Sequence, residues 1–136
     1  MNQDTKDPLA DLFSDDVKAI DRGTVAAALK PYIILDRTTN AIAVLPAFEK
    51  VNGNAEKIEI ILMASKALSL LVDGQRDGMA QGDITTMDIM PEGSVKSTLK
   101  KLFDSKKIKK NTADSSYYIP NYRINEVVEK LNKLNQ

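Results

Sequence analysis

The 136-residue chain contains neither cysteine nor histidine. Without cysteine there can be no disulfide framework, thiolate nucleophile, iron–sulfur cluster or Cys-type zinc site, and without histidine no imidazole base or His-ligated metal. Triads of the Ser-His-Asp or Cys-His kind are excluded. Aromatics supply only 5% of the residues and tryptophan none, against 43% hydrophobic residues in all, so the core has to be aliphatic. Long hydrophobic runs are missing too. The longest apolar segment, 58–72, contains Glu59 and Lys66 and is shorter than a membrane span requires. The opening Met1-Asn2-Gln3-Asp4 lacks the basic-then-apolar order of a secretory signal. A soluble cytoplasmic protein without a membrane partner is the expectation.

Catalytic strings are equally scarce. Ser97-Thr98-Leu99-Lys100 satisfies S-x-x-K, but the companion S-D-N and K-T-G elements are absent and Leu99 fits an apolar stripe. Asp73, Asp77, Asp83 and Asp88 lack the alternating ligands and closing Glu of a calcium loop, and turn and cap roles explain them better. No phosphate-cradling glycine motif is present. No enzyme activity, no cofactor and no metal site is expected.

What is present is an aliphatic chain with uneven charge. Nineteen basic and nineteen acidic residues give a net charge of zero. Residues 1–22 carry six Asp against Lys6, Lys18 and Arg22, a net of −3, whereas from Ser94 to Thr112 seven Lys face Asp104 alone, a net of +6. The length suits one domain, or a small domain with one appendage. Residues 1–14 read as an acidic, flexible segment. Residues 15–54 read as an extension made of a helix and a β-hairpin. The helix starts at about Asp15, carries Val17, Ile20, Val25, Ala28 and Leu29 on one stripe, and ends at Pro31. The β-rich runs 32–35 and 41–45 are joined by a polar stretch in which Asn40 can turn left-handed, and Pro46 closes the hairpin before a single turn around Phe48.

Residues 55–136 form the main unit. Asn54 is placed to cap a helix over 55–72, apolar around most of its circumference, with Glu59, Met63 and Lys66 as a narrow exposed edge. Asp83 is placed to cap a short helix over 84–90 with Ile84, Met87 and Met90 inward; Pro91-Glu92-Gly93 forms a turn and Ser94 caps a helix reaching Asp104. On that helix Val95, Leu99, Leu102 and Phe103 share a face, and Lys96, Ser97, Lys100 and Lys101 project from the other. A strand begins at Lys106–Lys110, 111–116 is a polar loop, and Tyr117-Tyr118-Ile119 returns to Pro120. At least one of the two tyrosines should enter the core. A last helix carries Ile124, Val127, Val128, Leu131 and Leu134 on one stripe, either as core or as a dimer interface across a dyad. The fold class is mainly α with small β-hairpins, α+β.

Over about 56–119 the order helix, short helix, turn, helix and hairpin resembles the winged-helix (winged helix-turn-helix) family, with Leu99-x-x-Leu102-Phe103-x-x-x-x-Ile108 matching its hydrophobic spacing. The N-terminal helix and hairpin lie outside that pattern. The resemblance implies DNA binding, with the second helix of the helix-turn-helix in the major groove and the wing against the backbone, as in a small transcriptional regulator. It places Ser94, Lys96, Ser97, Lys100 and Lys101 on the recognition helix, and Lys107, Lys109, Lys110, Asn111, Thr112, Ser115 and Ser116 on or beside the wing. The lysines would meet phosphates, but no arginine stands on the helix to make a bidentate guanine contact. The plainer reading of the same lysines is a solvated helix face and a polar hairpin tip. Some members of the family are protein-interaction modules, and the neutral total and acidic leader suit a protein partner. An acidic leader folding onto the lysine face is a third reading.

Overall fold

Asp21 sets the start of the first described helix. Its side chain accepts from the Thr24 amide at 3.1 Å, satisfying a donor that the helix N-terminus leaves open. In the computed structural model, which describes residues 8–9 and 20–135, helix α1 runs Arg22–Leu29 and buries Val25, Ala28 and Leu29. The expected helical start at Asp15, with Val17, falls outside the described residues, as does all of the acidic segment 1–14 except Pro8 and Leu9. After Pro31 the strands β1 (Ile33–Leu35) and β2 (Ile42–Val44) pair antiparallel with Ile33 opposite Val44. The connecting loop is a side-chain-built turn. Asp36 Oδ1 accepts from the amides of Thr38 at 2.8 Å and Thr39 at 3.2 Å, and Asn40 takes φ 59°. Pro46 then opens the short helix α2 (Pro46–Glu49), whose Phe48 is buried.

Helix α3 (Asn54–Leu71) is the centre of the molecule. Gly53 takes the cap position without a side-chain bond, so Asn54 is the first helical residue and not its cap. The edge expected to be exposed is buried: Glu59 and Met63 are 0% exposed and Lys66 3%. Elements from the C-terminal half bring partners to both charges, which a helical period alone does not reveal. Leu71, part of the apolar circumference expected to be packed, is instead 67% exposed.

The chain continues through β3 (Met79–Ala80), α4 (Gln81–Thr86), α5 (Glu92–Asp104), β4 (Lys109–Asn111), β5 (Ser116–Tyr118), a 3-10 turn at Asn121–Arg123 and α6 (Ile124–Leu134). The three strands form an antiparallel sheet in the order β3-β5-β4, with Met79 opposite Tyr117 and Lys110 opposite Tyr117 on its other side. Gly78 precedes β3 where the backbones touch. A Cβ there would run into the Tyr117 carbonyl oxygen.

Two cap expectations are corrected. Asp83 lies inside α4 and reaches back to the Ala80 amide at 3.3 Å, serving the helix start from its third residue. Pro91 occupies the cap of α5, so Glu92, Gly93 and Ser94 already form its first turn; the Ser94 amide bonds to the Pro91 carbonyl at 2.9 Å. Met87 and Met90 follow α4 in a turn and are half-buried.

The described chain is α+β, with six α-helices and two small antiparallel sheets. One aliphatic core runs from Val25 and Leu29 through α3 to Val95, Leu99 and Leu131, so α1 shares it with the C-terminal half. Helix α6 packs on α1 and α3. Ile124, Val127, Val128 and Leu131 are therefore buried within the single chain, which overturns their reading as a dimer interface; only Leu134 of that stripe is exposed. Among the described residues no helix is long and apolar enough to cross a membrane.

Candidate nucleic-acid interface

Helix α5 is held by one face. Val95, Leu99 and Leu102 sit in the core with Thr98 between them, and Phe103, expected beside them, is 45% exposed at the margin. The other face presents Lys96, Ser97, Lys100 and Lys101 to solvent. Lys100 pairs with Asp104 one turn on at 3.0 Å, an exposed pair worth only a few tenths of a kcal/mol. Ser97 Oγ donates to the Ser94 carbonyl at 3.4 Å, and Ser94 itself is half-buried.

Beyond α5 the chain reverses at Lys106, φ 63°, and Lys107 N bonds back to the Leu102 carbonyl at 2.9 Å. Ile108 drops into the core and anchors the edge strand β4, all three of whose residues are exposed. Alternation along β4 separates the two lysines that sequence placed together. Lys110 Nζ lies 5.4 Å from the Tyr117 ring centre, and Tyr117 meets Phe103 of α5 edge-on at 6.2 Å, so Lys110 belongs to the α5 side of the sheet. Lys109 Nζ lies 5.4 Å from the Tyr122 ring centre on the other side, and Asn111 follows it by the same alternation.

The loop closing β4 and β5 is built from its own polar groups. Asn111 Oδ1 accepts from Ala113 N at 2.9 Å, Ser115 N bonds to the Asn111 carbonyl at 2.8 Å, and Ser115 takes φ 61°. Thr112 and Ser115 are exposed at its tip. Ser116, expected there too, is buried and donates through Oγ to Asp114 at 2.7 Å, so it has no reach to a ligand. The Ser116 hydroxyl and amide hold the Asp114 carboxyl below its ordinary pKa, with Arg76 adding to the effect. Arg76 lies between Asp114 at 3.5 Å and Asp83 at 3.1 Å and so ties the hairpin to α4.

Seven lysines, Lys96, Lys100, Lys101, Lys106, Lys107, Lys109 and Lys110, thus lie exposed along one stretch of chain. Among the described residues only Lys100 of the seven has an ion-pair partner. The cations of the interior are treated differently. Lys66 Nζ donates to Asp77 at 3.0 Å and Asn121 at 2.8 Å and lies over the Tyr118 ring; neither tyrosine of β5 is fully buried. Arg123, 5% exposed, donates to Glu59 at 3.3 Å, Glu126 at 3.0 Å and the Lys107 carbonyl at 2.7 Å, while Lys130 reaches Glu59 at 2.8 Å. Burial alone would lower the Arg123 pKa, but Glu126 and Glu59 outweigh it and hold the guanidinium above its ordinary value.

Sequence reasoning missed this network, which braces the root of β4 from behind. Glu59 and Lys66, the charges that interrupt the apolar run of α3 beyond its first turn, were the signal that could have found it. Among the described residues no three His, Cys, Asp or Glu side chains converge to hold a metal ion. Comparison with known proteins gave no match to a family model, a curated protein or a solved structure.

Proposed function

We propose that the unit over about 56–119 is a winged helix-turn-helix that binds duplex DNA, with α5 in the major groove and the β4–β5 hairpin as the wing, in a cytoplasmic transcriptional regulator without enzyme activity. The order of elements supports it: helix, strand, helix, helix and two strands, the first strand pairing with the last. The observation that carries the reading is the contrast in cation pairing. Among the described residues every buried cation pairs with a carboxylate, whereas of the seven lysines along α5 and the hairpin only Lys100 forms an ion pair and Lys107 alone of the rest feels a carboxylate, that of Glu126. Such a cluster concentrates positive potential where phosphates would dock, in a protein whose total charge is zero.

Fluorescence anisotropy with a labelled duplex tests it. If about five phosphates are neutralised, log affinity falls with log salt at a slope of roughly −4 to −5. Lys96→Glu, Lys100→Glu and Lys101→Glu together should abolish binding while the circular dichroism spectrum stays unchanged; unaltered affinity would refute the assignment. With no arginine on α5, discrimination between sequences should be weak. The second reading is a protein-docking module, favoured by Phe103, 45% exposed and seven residues from Lys96 on the same side of α5. A stoichiometric protein partner recovered in a pull-down, with no anisotropy change at low salt, would select it.

A further inference from the structure

An apolar cleft of about 370 Å³ opens between α1, β1 and the end of α3, and none of the α5 lysines lines it. Its floor is Val25, Leu29 and Ile33, all buried, and Leu71 stands in its wall at 67% exposure. The size is at the small end of the range for ligand pockets, about 300–1,000 Å³. Among the described residues its only charged lining side chains are Arg22 and Lys30, both cations. Arg22 Nη1 donates to the Leu70 carbonyl at 3.3 Å, which fixes the guanidinium at the rim with further N–H groups to spare. Asp21, the acidic neighbour, is committed to the Thr24 amide at the start of α1. No described residue pairs with Lys30.

We infer that this cleft binds a small amphipathic carboxylate, an aliphatic tail lying over Val25 and Leu29 and the carboxylate paired with the rim cations. Apolar walls with cations alone at the rim favour an anionic head over a cationic or neutral one carrying the same tail. The inference is independent of any role for α5.

Methyl NMR titration of the full chain with decanoate, decylamine and decanol tests it. Decanoate should shift the Val25, Leu29 and Leu71 methyls at least tenfold more tightly than decylamine. Arg22→Gln with Lys30→Gln should weaken decanoate about tenfold and leave decanol unchanged. Ala26→Trp, which places a ring in the cleft from an exposed position on α1, should remove all three responses. Equal affinity for decanoate and decylamine, no methyl shift with decanoate, or full binding by the Ala26→Trp variant would overturn the inference. So would cross-peaks from residues 10–19 to the Leu71 methyls, which would assign the cleft to the chain's own N-terminal residues. A concentration-dependent dimer perturbing the same methyls would assign it to a second copy and overturn it equally.

Discussion

Replacing Glu59 by Met should cost about 3–5 kcal/mol of folding stability, more than most single substitutions in this chain. Glu59 is fully buried in the middle of α3 and accepts from Lys130 at 2.8 Å and Arg123 at 3.3 Å. At an effective dielectric of about 20, each contact has a gross attraction of about 5–6 kcal/mol. Desolvation of three charges cancels most of it, at several kcal/mol for each ion. Removing only the carboxylate leaves that desolvation in place for Arg123, which is 5% exposed. Arg123 keeps Glu126 and the Lys107 carbonyl, and Lys130 can swing outward, so the loss stays short of the whole gross attraction. For 136 residues at about 0.05–0.15 kcal/mol each, total stability is roughly 7–20 kcal/mol, so the variant remains measurable by urea denaturation. Arg123→Met added to Glu59→Met should recover part of the loss, because two thioether chains fill the site without a stranded charge. A Glu59→Met cost below about 1 kcal/mol, or a double variant equal to the sum of the single ones, would refute the view that Glu59 acts as a buried counter-charge.

Asp21, Asp114 and Glu126 have pKa values lowered by hydrogen bonds from Thr24, Ser116 and Arg123 respectively, so the unfolded chain binds more protons than the folded one in acid. Their contribution is complete above the unfolded carboxylate values and fades as the pH falls through the lowered folded ones. Urea midpoints should therefore drop below about pH 4 and stay flat from about pH 5.5 to 8, since no histidine titrates there; a slope across the neutral range would contradict this. Gly78→Ala should cost about 1–3 kcal/mol, because the new methyl meets the Tyr117 carbonyl and must push β3 from β5; a change within 0.3 kcal/mol, roughly the error of such measurements, would show that the strands give way freely. Lys96→Glu should leave stability within about 0.5 kcal/mol, because it turns the like-charge i,i+4 pair with Lys100 into an attractive one and the attractive pair with Glu92 into a like-charge one, while weakening DNA binding; a loss above about 1 kcal/mol would place Lys96 in a structural role.

Much of the fold was legible because its signals are local. The aliphatic periods of α3, α5 and α6, the Asp36–Asn40 turn and the two prolines that bound the hairpin all act within a few residues. The helix starts were less legible, since Asp83 serves α4 from its third residue and Pro91 supplies the conformation for α5, so the nearest polar residue is a poor guide to the cap. The buried charges were the least legible. Lys66 finds its partners 11 and 55 residues away, and Glu59 finds Arg123 and Lys130 64 and 71 residues away. A charged residue on a helix looks solvent-facing until the tertiary contacts that neutralise it are known. The lysines of the candidate site were legible as a cluster, yet their division between the two faces of the sheet depends on Tyr117 and Tyr122, whose positions are set by the pairing of β4 with β5 and by the turn before α6.

An unpaired surface lysine is ordinary, because an exposed pair gains so little that folding has no reason to provide one. Grouping seven of them against a single Asp is a different matter, since their mutual repulsion opposes folding and Lys96 and Lys100 stand at the spacing where like charges destabilise a helix. The buried network shows that this chain does place carboxylates beside cations where desolvation demands it. Glu59 and Glu126 neutralise Arg123 directly behind the turn that carries Lys106 and Lys107, and Arg123 holds that turn through the Lys107 carbonyl. The brace is neutralised, and of the outward lysines only Lys100 forms an ion pair, which suits the rigid mount for a positive surface that the proposed DNA binding needs.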